Sequence, residues 1–416
     1  MTRVGRMTGR GVAREGLFES YNSVTHHSNR MLPNSRNAGE LSQARRVLST
    51  AMLSIGFALT GTGTVLLGVL LPVLSARWRL HDDGSGLLLF LEFSGSSLGA
   101  ILSGLNRIRS MAVGYGLLVA SCLDLVFSHA NAPFAVFFFF GLGLGMAMTS
   151  TSLLFSDRWG DDRAAKLEWL NFVWSLGATT CPLVTLPFVR GEDTHMVFEL
   201  LVVLFAILLA WVASRERQPI ALAAAASSGN ARRPLNLVFI SLVIGAMCVV
   251  GVESALSGWL TTYSHRMGMR SLAGSALVTS VFWLGEMISR LAFSTKLLKK
   301  LGRESVLMWG TWGLTGSAVV LILSPHPSMI ILAAGLAGVF TGPLYPLLLS
   351  FLLERSARGW YFAVAGVGSA IFPWFTGLVS AQLNSLRLGL LVPCAGGAAM
   401  LAVNALVSKP LRTTGR

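Results

Sequence analysis

Apolar residues in this chain are gathered into twelve long stretches that are separated by short polar segments. Each stretch holds about twenty residues, the length that a helix needs to cross the hydrocarbon core of a bilayer. The stretches cover roughly residues 51–75, 86–106, 110–128, 132–155, 167–189, 196–214, 236–263, 271–294, 304–324, 327–352, 359–381 and 386–408. This pattern predicts an all-α membrane protein with twelve transmembrane helices.

The stretches fall into two sets of six around the longest polar interruption, which is rich in alanine, serine and basic residues. We therefore predict five parts in the chain. They are a disordered, basic cytoplasmic tail over 1–50, a six-helix bundle over 51–214, a cytoplasmic linker over 215–235, a second six-helix bundle over 236–408 and a cytoplasmic tail over 409–416.

The composition explains why the chain is basic. Of the 416 residues, 53% are hydrophobic and only 12% are charged, which excludes a disordered chain and disfavours a soluble enzyme. The excess of 33 Lys and Arg over 19 Asp and Glu fits either nucleic-acid binding or positive cytoplasmic loops. With the N-terminus inside, 26 basic residues lie on the cytoplasmic side and six lie opposite. We expect a multi-pass protein of the inner or plasma membrane with both termini in the cytoplasm.

Short motifs recur at nearly constant spacing in the two sets of stretches, which indicates a duplicated six-helix unit. The pairs are Leu98-Gly99 with Leu284-Gly285 at an offset of 186, Asp157-Arg158 with Glu354-Arg355 at 197, and Gly177 before Pro182 with Gly368 before Pro373 at 191. The predicted architecture is thus two six-helix pseudo-repeats.

The seventh stretch carries the most distinctive sequence, GVESALSGWLTTY over residues 251–263. Further motifs are Arg290 in the eighth stretch, GPLYP at 342–346 in the tenth, and GVGS at 366–369 in the eleventh. With the duplicated plan, they make the chain similar to the major facilitator superfamily. Within it, the chain resembles the fucose–galactose–glucose symporter group and its fungal and animal relatives. The resemblance implies a substrate site between the halves near the midplane.

The chain also departs from that family. The loop at 104–109 reads GLNRIR, which keeps the basic residues of the family signature but lacks its aspartate. The first and fourth stretches carry no carboxylate, although fucose-type proton symporters have one in each. Proton coupling by the fucose-type route is therefore not supported by these residues.

Charged residues within the stretches are candidates for coupling and gating, because a charge in the bilayer needs a partner, a proton or water. Glu253 could accept a sugar hydroxyl or bind a proton. Glu92 could line a cavity or bond a neighbouring helix. Glu286 and Arg290 share a helix face and can form a gating pair or contact substrate. The pairs Asp157-Arg158 and Glu354-Arg355 are either cytoplasmic latches or ordinary loop charges.

Aromatic and amide side chains are candidates for binding a sugar, whose ring offers C–H faces for stacking and hydroxyls for hydrogen bonds. The alternative for each aromatic residue is an interfacial or packing role. These candidates are Trp259, Tyr263, Asn171, Trp174, Trp283, Tyr345 and Trp374.

The preferred function is secondary active transport of a small polar solute, with a sugar as the expected substrate, driven by a proton or sodium gradient. A drug or metabolite exporter is the alternative. An enzyme is disfavoured because no histidine lies within a stretch, and nucleic-acid binding because the basic tail lacks interleaved aromatic residues. The lone cysteines show no metal-binding spacing, and we expect no catalytic residue, no metal and no cofactor beyond a coupling H⁺ or Na⁺. We expect a monomer whose partners are the solute and the lipid bilayer.

Overall fold

The structure, a computed structural model, describes residues 35–103, 106–127, 132–159, 163–189, 191, 193–215, 237–269, 271–293, 300–355 and 360–414. For 35–48, 159, 163–165, 353–355, 360–363 and 407–414 it describes the backbone alone. Nearly all of this backbone is helical.

Twelve long helices follow one another along the described part of the chain. They are α1 (Ser35–Arg77), α2 (Asp82–Leu102), α3 (Arg107–Phe127), α4 (Pro133–Trp159), α5 (Arg163–Thr185), α6 (His195–Ala213), α7 (Leu237–Arg266), α8 (Leu272–Phe293), α9 (Arg303–Leu323), α10 in two pieces, α10a (Pro327–Thr341) and α10b (Leu344–Arg355), α11 (Trp360–Leu383) and α12 (Leu391–Thr414). A four-residue helix, Leu386–Gly389, precedes α12.

Eleven helices in the described part of the chain are long and apolar enough to cross a membrane, with α10 counted once over Pro327–Leu352. The remaining helix, α5, has 23 residues but includes Lys166, Glu168 and Asn171. The predicted all-α membrane fold is confirmed.

The predicted boundaries differ from the observed ones mainly where prolines and charges lie at helix ends. The tenth stretch is divided at Gly342 and Pro343, because proline cannot donate the backbone hydrogen bond that a continuous helix requires. The second helix begins at Asp82, four residues before the predicted start, and its first turn holds two acids, which favour a helix N-terminus.

The chain separates into two units, residues 1–48 and residues 49–416. In the first unit, residues 35–48 are helical, although the sequence pattern assigned them to a tail. The helix α12 extends through most of the predicted C-terminal tail, to Thr414. Apart from Arg215, the predicted linker 215–235 lies outside the described residues.

Helix packing within the second unit repeats between its two halves, α1–α6 from Ser49 onward and α7–α12. In the first half, α2 packs on α4, α3 packs on α4 and α6, and α1 packs on α5. The corresponding helices of the second half make the same pairs: α8 with α10a, α9 with α10a and α12, and α7 with α11.

Glycine contacts fix the register of this repeat. A Cβ atom at Gly141 on α4 would collide with the carbonyl oxygen of Glu92 on α2, and one at Gly338 on α10a would collide with that of Phe282 on α8. Likewise a Cβ atom at Gly95 on α2 would collide with the backbone of α4, and one at Gly285 on α8 would collide with the backbone of α10a. Gly95 is therefore the partner of Gly285, at an offset of 190. The predicted pairing of Leu98-Gly99 with Leu284-Gly285 is wrong by one helical turn, because α2 has glycines one turn apart, at Gly95 and Gly99, that both pack on the α4 backbone.

The two halves meet along α2 with α11 and along α5 with α8. Between the middle of the bundle and the end where α1 ends and α2 begins, hereafter the Asp82 end, a Cβ atom at Gly68 on α1 would lie 2.9 Å from the Cα atom of Gly258 on α7. Small residues thus allow backbones of opposite halves to approach closely.

Candidate functional site

A cluster of charges lies where α5, α7 and α8 approach one another. Glu286 and Arg290 are one turn apart on α8 and form an ion pair, and the Glu286 side chain is 0% exposed. The Nη1 atom of Arg290 donates to the Oγ atom of Ser175 on α5, at 3.3 Å, and so links the two halves. Arg290 also interacts electrostatically with Glu253 on α7. The guanidinium of Arg290 therefore interacts with two carboxyl groups, those of Glu286 and Glu253.

Two tryptophans from opposite halves meet beside this cluster. The rings of Trp174 on α5 and Trp283 on α8 are in an edge-to-face contact, with centroids 5.2 Å apart. Both indole Nε1 atoms are buried and find no hydrogen-bond acceptor among the described residues, and the same holds for the Nε atom of Arg290. Buried donors normally have a partner. We call these residues, Trp174, Trp283, Glu253, Glu286 and Arg290, the α5–α8 site.

Two other aromatic candidates on α7 have hydrogen-bond partners within the protein. Trp259 Nε1 donates to the carbonyl oxygen of Pro373 at 2.9 Å, and Tyr263 Oη donates to that of Leu321 at 2.6 Å. Both side chains are essentially fully buried. These bonds give Trp259 and Tyr263 packing roles between α7 and its neighbours, so they lie outside the α5–α8 site.

The remaining binding candidates are dispersed. Asn171 is exposed on α5, one turn from Trp174. Tyr345 packs half-buried against the apolar core from α10b. The ring of Trp374 on α11 lies 5.3 Å, between centroids, from that of Phe90 on α2. It therefore contributes to the contact between the halves.

The acid Glu92 is separate from the charge cluster. Its side chain is 1% exposed, and neither carboxyl oxygen has a hydrogen-bond partner among the described residues. It lies at the middle of α2, because this helix begins earlier than the apolar pattern indicates.

The expected latch residues are observed in part. Asp157 at the end of α4 forms an ion pair with Arg107 at the start of α3. Arg158 donates to Ser49 Oγ at 3.0 Å and to Thr50 Oγ1 at 3.5 Å, both on α1. These contacts join helices of one half. The side chains of Glu354 and Arg355 lie outside the described residues.

One contact between the halves was missed by the sequence analysis. The carboxylate of Asp82 on α2 accepts two hydrogen bonds from Arg266, the last residue of α7, at 2.7 and 2.6 Å. It also accepts one from Ser380 on α11 at 2.5 Å. The sequence contained a signal for this contact, because the apolar stretches that precede Asp82 and Arg266 end on the same side of the membrane. The sequence analysis used loop charges only to orient the chain. We call this contact the Asp82 latch.

Nothing in this geometry resembles a metal centre. Within the described ranges no three His, Cys, Asp or Glu side chains are grouped as metal ligands would be. The polar groups at the α5–α8 site instead offer hydrogen-bond donors and carboxylates to a small molecule.

Comparison with known proteins agrees with the fold. A family model described as Major Facilitator Superfamily matches residues 53–373. The chain is 24% identical over 262 residues to the Protein TsgA homolog of Erwinia tasmaniensis, a match that covers 61% of this chain and 66%, just under two thirds, of that protein.

Solved structures of transporters are also similar. The inward-open xylose transporter XylE from E. coli has 13% identity and a TM-score of 0.65, over 87% of this chain and 95% of that one. A bacterial homologue of the human drug peptide transporters PepT1 and PepT2 has 12% identity and a TM-score of 0.67, over 88% and 98%. Such identities establish the fold alone, whereas the family match spans most of the sequence. The chain therefore belongs to the Major Facilitator Superfamily, and it is a multi-pass membrane protein.

Proposed function

We propose that the chain is a secondary active transporter of a small polar solute that carries several hydroxyl groups, such as a sugar. The solute moves by alternating access, driven by a proton or sodium gradient, across the inner or plasma membrane with both termini in the cytoplasm. The orientation rests on the distribution of basic residues between the two sides of the chain.

The observation that carries this proposal is the set of unpaired donors at the α5–α8 site. The indole N–H groups of Trp174 and Trp283 and the Nε–H group of Arg290 have no acceptor in the described structure. Leaving a buried donor unsatisfied costs about 1–3 kcal/mol, so a ligand that supplies acceptor oxygens gains affinity there. Carboxylates on α7 and α8 can accept hydrogen bonds from the hydroxyl hydrogens of the same ligand.

The location of the site fits alternating access. Its residues come from both halves, and Ser175 and Arg290 connect them directly. A ligand at this position contacts both halves at once, so its binding energy can favour one relative arrangement of the halves over another.

The fold does not select the solute, because its structural relatives include a xylose transporter and a homologue of peptide transporters. The similarity of residues 251–263 to the fucose–galactose–glucose symporter group supports a sugar. The indole faces at the site support it as well, since they suit the C–H faces of a sugar ring. A drug exporter would instead favour a wide apolar cavity without buried charges.

The test is uptake by the purified protein in proteoliposomes, with labelled D-glucose, D-galactose, L-fucose and D-xylose under imposed pH or sodium gradients. Trp283→Phe keeps an aromatic ring, although a smaller one, and removes the donor. We expect the KM for the transported sugar to rise about threefold to tenfold, the equivalent of one net hydrogen bond.

Trp309→Phe is the matched control, because Trp309 is 67% exposed on α9. Its KM should equal that of the wild type. If no sugar were taken up under either gradient, the solute class would be refuted. Equal KM values for the two variants would exclude the Trp283 donor from binding.

A further inference from the structure

Glu92 is a carboxyl group at the centre of a membrane helix, and no countercharge pairs with it among the residues that the structure describes. It is the eleventh of the 21 residues of α2 and is 1% exposed. Both carboxyl oxygens are buried and lack a hydrogen-bond partner in the described part of the chain. The α5–α8 site does not use it.

The helices packed around Glu92 supply no countercharge at its level. On α4 the neighbour is Gly141, where a Cβ atom would collide with the Glu92 carbonyl. On α5 the Glu92 carboxyl acts electrostatically on the thiol of Cys181. The sequence of α11, which also packs on α2, contains no Asp, Glu, Lys, Arg or His.

Charged residues on these helices lie towards their ends. The charged residues of α4 and α5 are Asp157, Arg158, Arg163, Lys166 and Glu168. On α2 itself, Asp82 and Asp83 are at the first turn, about 15 Å from Glu92 along the axis at 1.5 Å per residue. Glu92 thus differs from Glu286, which has Arg290 one turn away.

An ionised carboxylate in this position is strongly disfavoured. Burying an unpaired ion in a protein is strongly unfavourable, and an acid at the centre of a membrane helix is costly even on insertion scales. Binding one proton removes the charge. A metal cation would need several oxygen ligands together, as hard cations generally do, whereas Glu92 offers only its own carboxyl group.

Glu92 lies on the face of α2 that packs on α4, because its backbone meets Gly141. Across the boundary between the halves, α2 packs on α11 through Gly86, Phe90 and Ser97. A movement of one half relative to the other shifts α2 as a whole, and with it the surroundings of the Glu92 carboxyl group.

We propose that Glu92 carries the coupling proton of the transport cycle, so that the driving ion is H⁺ rather than Na⁺. In the state described here the carboxyl group is protonated. When the halves rearrange and water reaches it, the O–H bond breaks and the proton passes to water. The bond forms again with a proton from water on the opposite side. This inference rests on the proposed function, and it assigns coupling and solute binding to different residues.

The first experiment needs no substrate. Infrared spectra of the full-length protein in lipid are recorded at pH 7 for the wild type, Glu92→Gln and Glu199→Gln. Glu199 is an exposed acid on α6 and serves as the matched control. The difference between wild type and Glu92→Gln should contain the carbonyl band of a protonated carboxylic acid. The Glu199 difference should contain carboxylate bands, and carboxylate bands for Glu92 as well would overturn the proposal.

The second experiment measures coupling with the sugar that the uptake panel identifies. A pH gradient of one unit, inside alkaline, sustains about tenfold accumulation if one proton accompanies each solute. We expect Glu92→Gln to lose this accumulation, with a ratio near one, and to keep counterflow exchange within about twofold of the wild type, since exchange needs no net proton movement.

The controls separate failure of this inference from failure of the proposed function. Glu199→Gln should accumulate the sugar like the wild type, and a sodium gradient without a pH gradient should drive no accumulation. Preserved accumulation by Glu92→Gln, or accumulation driven by sodium, would overturn the inference while leaving sugar transport intact. Absence of uptake and exchange in the wild type would refute the sugar itself, and the infrared result would still decide the protonation of Glu92.

Discussion

Removing the charge of Asp82 should shift the protein away from the conformation described here. The Asp82 latch joins α2 in one half to α7 and α11 in the other. Asp82→Asn keeps the shape of the side chain and removes the ion pair with Arg266. Because the latch exists only when the halves are together at this end, its loss destabilises that state alone.

The energy of the Asp82 latch can be judged from the exposure of its two charged side chains. The Arg266 side chain is 45% exposed, so the stabilisation by the ion pair should approach the roughly 0.2–1 kcal/mol that is typical of surface pairs. The Asp82 side chain is only 11% exposed and accepts hydrogen bonds from both Arg266 and Ser380. The energy of the latch should therefore be nearer to that of hydrogen bonds to charged groups. A loss of about 1–1.5 kcal/mol changes the ratio of closed to open states by roughly fivefold to tenfold.

The assay is a distance measurement between spin labels on cysteines introduced at Ala76 and Gln382, exposed residues on α1 and α11 at the Asp82 end. The native cysteines are replaced beforehand. The Asp82→Asn variant should show a larger population at long distance. Asp83→Asn is the matched control, since Asp83 is the exposed neighbour in the same helical turn and also interacts with the helix dipole. Equal distance distributions for the two variants would refute a gating role for the latch.

Two further substitutions test the packing. Gly141→Ala should destabilise the protein by about 1–3 kcal/mol, because the added Cβ atom meets the α2 backbone. The control Gly116→Ala on α3 should not, because nothing lies within 4 Å of its Cβ atom. The stability of each variant is measured as the fraction of protein that stays monodisperse after heating, and equal fractions would contradict the prediction. Tyr263→Phe should lower stability by about 1 kcal/mol, because the bond to the Leu321 carbonyl is lost, and an unchanged melting temperature would contradict a structural role for that bond.

The hydrophobic pattern was sufficient for the fold class because each helix must be apolar over the width of the bilayer. It could not locate helix ends at which charged residues continue the helix into the polar region. The second helix shows the consequence, since its start at Asp82 moves Glu92 from two turns inside the span to its middle.

Candidate site residues were harder to sort by sequence, because depth in the membrane does not reveal the partner of a side chain. Trp259 and Trp283 were both binding candidates in the sequence, and the packing alternative applied most strongly to Trp259. Only the structure shows that the Trp259 indole donates to a backbone carbonyl, whereas that of Trp283 has no acceptor among the described residues. Hydrogen bonds to backbone atoms distant in sequence leave no local signature.

The seam between α2 and α11 has a mechanical consequence. At one end Gly86 lies against the backbone of α11 at Trp374 and Gly377, and at the other Gly366 lies against Ser97. The small residues at these two ends keep the backbones close, and the ring contact of Trp374 with Phe90 lies between them. A shear of α2 past α11, as packed helices undergo when domains slide, would therefore keep the helices together and require the Trp374–Phe90 ring contact to shift. This contact would then let one half of the protein slide against the other along α2 and α11. A side chain larger than serine at Gly86 or Gly366 would hinder that movement.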